Sequence, residues 1–367
     1  MNHEEQHQPE PFERSEEHLM GAASPVPPPP PPPPPPTKIV LEQPKRRWWS
    51  RLLWSALFLS LFFNFVFYQQ IAEYYGGGTG PNERFYSGNE TAEKKIALIK
   101  INGTIMPPFT DRIIKSIRRA KKDARVKGVV LVIDSPGGLV ADSHQIYHEL
   151  TLLRKKKPVF VSMKRLAASG GYYVAMGAGT EGKIFAEPTT WTGSIGVIIP
   201  RYDLTELVKR LGIQVEPLKT GSFKDTLSPF RPMSPEEKKL WSGILNDAYQ
   251  RFIQIIAENR PKLDVQKVKA LATGQIFTAE QAKQNGLVDE IGFLEDVLKA
   301  LARKLNLKEK EYRVVEYYFQ PSMWELLSGE LRARDPHAVL QQWLESTVPQ
   351  ALYYCSWLNL PLPATER

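Results

Sequence analysis

Residues 128–138 run Gly-Val-Val-Leu-Val-Ile-Asp-Ser-Pro-Gly-Gly. The apolar residues are continuous rather than alternating, which predicts a strand buried on both faces. Proline and paired glycines close the run in a tight turn. Working outward, IALIKI at Ile96–Ile101 has a strand pattern and PVFVSM at Pro158–Met163 is a second buried strand. Between them the apolar spacing becomes that of helices, at Thr110–Lys122 and Leu139–Leu153. Ser169–Gly177 is predicted helical, Ile184–Phe185 short and extended, and Ile195–Ile199 a further strand. Strands alternating with helices predict an α/β fold with a parallel or mixed sheet covered by helices. After Pro235 the pattern turns helical over Glu236–Glu258, Asp264–Leu271, Ala279–Gln284 and Leu294–Leu305. A strand is expected at Tyr312–Tyr318, and no chemistry is assigned to the aromatic-rich residues beyond it.

The N-terminal side is of a different kind. Residues 1–37 carry six glutamates against one arginine and run into ten consecutive prolines, Pro27 to Pro36. In polyproline II geometry such a tract extends roughly 31 Å. It reads as a stiff spacer, with a docking strip for a polyproline-binding partner as the sharper alternative. Lys45, Arg46 and Arg47 then precede Trp48 and Trp49. Residues 52–71, LLWSALFLSLFFNFVFYQQI, carry no formal charge. A helix of that length spans roughly 30 Å of hydrocarbon, so a single transmembrane helix in contact with lipid is expected. The basic cluster before it places the N-terminus in the cytoplasm and everything after Tyr74 outside it. Glycines at Gly76–Gly78 and Gly80 begin a flexible linker over 72–95.

Composition limits the chemistry. The formal net charge of +8 is scattered over helix faces, with no basic stripe interleaved with aromatics, so no nucleic-acid partner is expected. The single cysteine, Cys355, excludes an internal disulfide and a cysteine-based metal site. Of six histidines, only His144, His148 and His337 follow the apolar span. His144 and His148 have the i, i+4 spacing of metal ligands, but no third ligand is evident and the pattern is not H-E-x-x-H. No metal is expected, and a Ser-His-Asp triad has little to draw on.

Two glycine-rich turns follow buried strands: Asp134-Ser-Pro-Gly-Gly138 and Ala167-Ala-Ser-Gly-Gly-Tyr-Tyr173. Paired glycines let backbone N–H groups approach a ligand closely, as an oxyanion hole requires. Small residues around Ser169 would leave its hydroxyl accessible at a helix start. For either turn alone, a tight turn or an N-cap serine accounts for the residues equally well. A nucleophilic serine needs a base, and a lysine serves when burial favours its neutral form. Spacing leaves Lys224, Lys219 and Lys164 open for that role.

The motifs together narrow this. AASGGYYVAMG (Ala167–Gly177), EPTTWTGSIGVI (Glu187–Ile198), GSFKDTLSPFRPMSPEE (Gly221–Glu237), the DSPGG turn and QIFTAEQAKQNGLVDEIGFLEDVL (Gln275–Leu298) closely resemble, in order, the signal peptide peptidase A (protease IV) family. The resemblance runs from about Ile96 to Val315 and is to the single-domain form of these serine–lysine dyad peptidases. It implies a crotonase/Clp-like peptidase domain over 96–317, behind a disordered acidic and Pro-rich segment (1–44) and the membrane helix. Residues 318–367 would form a C-terminal extension of unknown role. It further implies Ser169 as nucleophile, Lys224 as general base, oxyanion donors at Gly137, Gly138 and Gly170, and Ser194 as a hydrogen-bond partner of the lysine. No cofactor is implied. The implied substrates are remnant signal peptides and other accessible or unfolded polypeptide segments. The implied setting is a homo-oligomeric ring, whose neighbouring subunits complete each site, at a bacterial cytoplasmic (inner) membrane. Two other readings stand beside this one: a crotonase-like acyl-CoA enzyme, and a catalytically silent membrane scaffold presenting the decaproline.

Overall fold

The computed structural model describes residues 46–75, 80–320 and 352–354. The decaproline, the acidic stretch before it, Gly76–Gly78, His337 and Cys355 lie outside the described residues. The chain divides into two units, Met1–Gln69 and Gln70–Arg367.

The first unit is built on helix α1 (Arg46–Tyr75). It is apolar around its whole circumference, and its Trp48–Tyr68 portion is, at 21 residues, long and apolar enough to cross a membrane. The one amide within that portion, Asn64, donates from Nδ2 to the Ser60 carbonyl at 2.8 Å, so it is satisfied inside the helix.

The second unit begins with β1 (Asn82–Gly88), β2 (Lys94–Asn102), α2 (Phe109–Lys122), β3 (Val126–Ser135), β4 (Gly137–Leu139), α3 (Val140–Arg154), β5 (Val159–Ala168) and α4 (Gly170–Ala175). There follow β6 (Ile184–Ala186), β7 (Trp191–Gly193), α5 (Thr205–Arg210), α6 (Pro235–Asn259), α7 (Val265–Leu271), β8 (Ile276–Thr278) and α8 (Ala279–Gln284). The last elements are β9 (Glu290–Ile291), α9 (Leu294–Lys304), β10 (Tyr312–Tyr318) and β11 (Leu352–Tyr354). The main sheet has the order β1-β10-β2-β3-β5-β6-β9, with β7 beside β5 and β8 beside β7. Pairing is antiparallel at β1–β10 and β7–β8 and parallel at every other junction.

The continuous apolar runs are explained by what covers each face. Val129, Leu131 and Ile133 of β3 enter the larger core, with Ile113 and Ile117 of α2 and Ile146 and Leu150 of α3. Val130 and Val132 enter a second core on the opposite face, against Leu294, Val297, Leu298 and Leu301 of α9. Those three leucines and one valine fall at i, i+3, i+4 and i+7, one stripe of a helix. With both faces covered, no position of β3 between Val129 and Ile133 can be polar. Burying each such side chain contributes roughly 1.5–3 kcal/mol.

Two expectations are revised. Asn82–Gly88, placed in a flexible linker, is an edge strand antiparallel to β10. It is held by charge rather than by apolar alternation: Lys95, buried, pairs with Glu83 (2.5 Å) and Asp123 (3.2 Å), and Arg84 pairs with Glu316 (2.9 Å). The expected strand Ile195–Ile199 is absent, and Trp191–Gly193 forms the strand instead. Gly193 (φ 88°) and Ser194 (φ 49°) turn the backbone out of the sheet before the apolar run begins. The carboxyl ends of β3, β5 and β7 therefore lie side by side, with Ser135 opposite Ala167 and Ala168 opposite Gly193. Ligands of parallel α/β sheets gather at such strand ends.

Candidate active site

β5 delivers Ser169 to this edge. Because Ala168 is in register with Gly193, Ser169 and Ser194 leave the sheet next to each other. Both have left-handed backbones, with φ of 52° and 49°. For a non-glycine residue this costs roughly 1–3 kcal/mol and persists only where neighbours enforce it. The enforcing bonds are present: Ser169 N–H donates to the Gly193 carbonyl (2.7 Å), and Tyr173 N–H donates to the Ser169 carbonyl (2.8 Å). Ser194 N–H donates to the Gln275 carbonyl (2.7 Å). Behind them Tyr172 and Tyr173 are fully buried, and the Tyr172 hydroxyl donates to the Leu287 carbonyl at 2.8 Å.

The Ser169 hydroxyl is the unusual atom. The residue is 1% exposed, and Oγ has no hydrogen-bond partner. It does not cap α4, which it precedes, so the N-cap explanation fails. An orphaned buried hydroxyl costs roughly 1–3 kcal/mol. Strain and an unsatisfied polar atom at one residue together suit a nucleophile better than a packing role.

The glycines expected as oxyanion donors differ in where their N–H groups point. Ile105 holds one edge of β4, donating to the Gly137 carbonyl (2.8 Å) and accepting from Leu139 N–H (2.8 Å). Gly137 N–H donates to Ser135 Oγ at 3.1 Å, so it is already engaged. Gly138 N–H lies on the edge of β4 away from Ile105. The start of α4 comes close to it. A Cβ at Gly170 would stand 2.6 Å from Ser143 Oγ and 3.0 Å from Gly138 N. Gly170 N–H belongs to the first helical turn, where N–H groups have no acceptor in the helix.

Of the three lysines left open by spacing, two are occupied. Lys164 pairs with Glu187, and Lys219 pairs with Asp225 at 2.6 Å. Hydrogen bonds from Arg231 and Lys219 hold the Asp225 carboxyl well below the usual carboxylate range. Lys224 has no ion-pair partner among the described residues. Its N–H donates to the Gly221 carbonyl at 3.1 Å, and its side chain is exposed. Within one chain, then, the structure does not join Lys224 to Ser169. His144 is no substitute base of evident reach, since its Nδ1 shares a 2.7 Å hydrogen bond with the Tyr173 hydroxyl. Burial lowers its pKa, helped by Arg251 and His148. Among the described residues no group of three or more His, Cys, Asp or Glu is gathered as for a metal.

The model of peptidase family S49 matches residues 151–308, and that of Clp protease matches residues 86–192. A protein of Enterococcus faecium, described as a candidate signal peptide peptidase SppA, is 36% identical over 260 residues, which is 65% of this chain and 74% of its own. The chain belongs to peptidase family S49. A candidate protease of Synechocystis sp. is 38% identical over 206 residues, 56% of this chain and 73% of its own. The chloroplastic serine protease SPPA of Arabidopsis thaliana is 33% identical over 240 residues, 64% of this chain and 35% of its own. The S49 chain is thus a serine peptidase of the serine–lysine dyad family, on a Clp/crotonase-like α/β domain with a mixed, mostly parallel sheet.

Three residues of this S49 site escaped the sequence reading: Ser135, Ile105 and Gly193, which fix the geometry of Gly137, β4 and Ser169. Ser135 had a usable signal, because serine before Pro-Gly is a turn residue whose hydroxyl bonds the backbone two positions on. Ile105 had none. Its importance predicts a result for Gly138→Ala, whose Cβ would stand 2.0 Å from the Ile105 carbonyl oxygen. The variant is expected to lose peptidase kcat by at least about 100-fold, the scale of one lost oxyanion donor. It should also lower the unfolding midpoint, as overpacking does. Steady-state turnover beside a thermal melt checks both; wild-type kcat would show that β4 plays no part in the reaction.

Proposed function

We propose that this S49 peptidase hydrolyses remnant signal peptides and other accessible or unfolded peptides at a membrane, with Ser169 as nucleophile and Lys224 as general base. The observation that carries the reading is the buried, unpartnered Ser169 hydroxyl, one residue before Gly170, which packs close to Gly138 N. Neutral Lys224 takes the Ser169 proton as Oγ attacks the peptide carbonyl. Gly138 and Gly170 N–H groups meet the charge that develops on oxygen. Lys224 then passes its proton to the leaving amine, and water hydrolyses the acyl ester by the same route. Ser194, adjacent in register to Ser169, would orient the lysine.

The base would come from a neighbouring copy in a homo-oligomeric ring. Lys224 sits in a region whose large apolar side chains lie open, among them Tyr202, Leu211, Ile213, Leu218 and Phe223. A patch of that kind favours association, and covering it would take the Lys224 amine out of water. Enclosure by a ring would also keep folded proteins from the site. The Trp48–Tyr68 helix and the basic residues before it support a single-pass anchor, with the N-terminus in the cytoplasm and the peptidase unit outside.

The test uses the detergent-solubilised full chain, a synthetic signal peptide, a folded protein and an active-site-directed fluorophosphonate. The peptide should be cut, the folded protein spared, and the reagent found on Ser169. Labelling of another residue, or equal cutting of both substrates, would overturn the reading.

A further inference from the structure

Between α5, which ends at Arg210, and α6, which starts at Pro235, the chain contains no helix or strand. A loop of that length inside a compact unit is usually functional, and this one carries Lys224. It is nonetheless tied down just after the lysine, and Arg231 is the tie. Arg231 donates from Nε and a terminal nitrogen to the two carboxylate oxygens of Asp225, at 2.9 and 2.8 Å. Its terminal nitrogens also donate to both oxygens of Glu237, at 3.0 and 2.5 Å. One guanidinium thus forks two carboxylates, a pairing that suits its planar geometry and that an ammonium cannot copy. The same group donates to the Asp225 carbonyl at 3.2 Å and to the Pro232 carbonyl at 3.0 Å.

The far end of this clamp is rigid. Glu237 lies in the first turn of α6, where its carboxylate accepts from Ser234 N–H (2.8 Å) and its N–H donates to Ser234 Oγ (3.2 Å), a capping box. One turn on, Trp241 donates from Nε1 to Thr226 Oγ1 at 2.9 Å, and Thr226 is buried. α6 is itself seated in the larger core through Phe252, Ile253 and Ile256. The near end, Asp225, is the residue directly after Lys224. The backbone at Lys224 is therefore tied to a core helix through the next two residues, while the lysine side chain stays exposed. Ion pairs near the surface add little stability, so a clamp with every guanidinium nitrogen engaged is better explained by what it positions.

We infer that Arg231 is the positioning residue of the general base: it fixes the backbone beside Lys224 to the first turn of α6, so that the amine is presented at one place. The inference rests on the proposed role of Lys224. Lysine carries its amine on a flexible four-carbon stem, so its reach is set only if its backbone is held. A base acts only within hydrogen-bond distance, and misplacing a reacting group by about 1 Å costs on the order of 100-fold in rate. The step that suffers most is delivery of the proton to the leaving amine of a peptide. A p-nitrophenyl ester loses a phenolate, which needs no such proton.

The test uses the detergent-solubilised full chain, with Arg231→Lys and Glu237→Gln beside Lys224→Ala. Each is assayed on a synthetic signal peptide and on a p-nitrophenyl ester. Lysine at 231 keeps the charge but cannot fork, and glutamine at 237 keeps the capping box while weakening the fork. Arg231→Lys is expected to lower peptide kcat by about 100-fold with KM within about two-fold of wild type. Its ester kcat should fall by less than about 10-fold. Glu237→Gln should show a smaller loss with the same split. Equal losses on both substrates would make the clamp purely structural, and an unchanged peptide kcat would leave it no part in the reaction; either result overturns the inference. Should a thermal melt show Arg231→Lys unfolded, Glu237→Gln is judged by the same split. A Lys224→Ala chain that still cuts the peptide would remove the general-base assignment and the clamp's role together. An inactive Lys224→Ala beside fully active clamp variants would overturn the clamp alone.

Discussion

Ser169→Ala is expected to lower kcat/KM for a signal peptide by about 10⁴- to 10⁶-fold, the scale of losing a nucleophile that works as one unit with its base. The same change should leave the thermal midpoint unchanged or slightly higher. Ser169 Oγ makes no hydrogen bond, so its removal breaks nothing in the folded state and relieves one unsatisfied buried hydroxyl. The strained φ of 52° is enforced by backbone bonds from Ser169 N–H and to its carbonyl, which alanine retains. Loss of activity without loss of stability is the signature of a residue held for chemistry. Peptide turnover and differential scanning fluorimetry on the same preparation measure both quantities. An active variant would show that Ser169 is not the nucleophile, and an unfolded one that its role is structural.

Lys224→Ala should be as inactive as Ser169→Ala, yet the two inactive chains are expected to restore activity when co-assembled. In a ring where each site takes its serine from one copy and its lysine from the next, random mixing regenerates intact sites at roughly a quarter of all positions. Recovery to that fraction of the wild-type rate is the expected result. The basis is the separation seen in one chain: a partnerless Ser169 hydroxyl in the interior and a Lys224 side chain in solvent. Chains carrying both substitutions, mixed with wild type, provide the control for simple dilution. If co-assembled Ser169→Ala and Lys224→Ala chains stay inactive while forming the wild-type oligomer, both residues must act within one chain.

Much of the fold could be read locally because local rules govern it. A strand covered by α2 and α3 on one face and α9 on the other must be apolar at every position, and Val129–Ile133 announces this without any knowledge of its neighbours. The stripe of α9 and the β10 boundaries are legible for the same reason. Strand β1 was not, because its place is held by Glu83 and Arg84 reaching Lys95 and Glu316, and ion pairs leave no period-2 pattern. Strand β7 was displaced in the reading because the left-handed turn at Gly193 and Ser194 outweighs the apolar run after it.

The site divides along the same line. Sequence by itself nominated the residues proposed to carry the chemistry, since glycine pairs, a serine at a strand end and ordered motifs are properties of short segments. Only the tertiary structure decided how they are used. That Gly137 N–H is held by Ser135 while Gly138 N–H turns to the other edge of β4 depends on Ser135 and on Ile105, which comes from a separate loop. That Lys164 and Lys219 are held by carboxylates depends on Glu187 and Asp225. That Tyr353 lies opposite Gly138 depends on a pairing across more than two hundred positions, which no local pattern encodes. Propensity and periodicity act over a few residues, whereas the direction of an N–H or the partner of a strand is settled only when distant segments meet and every buried polar group must find its partner.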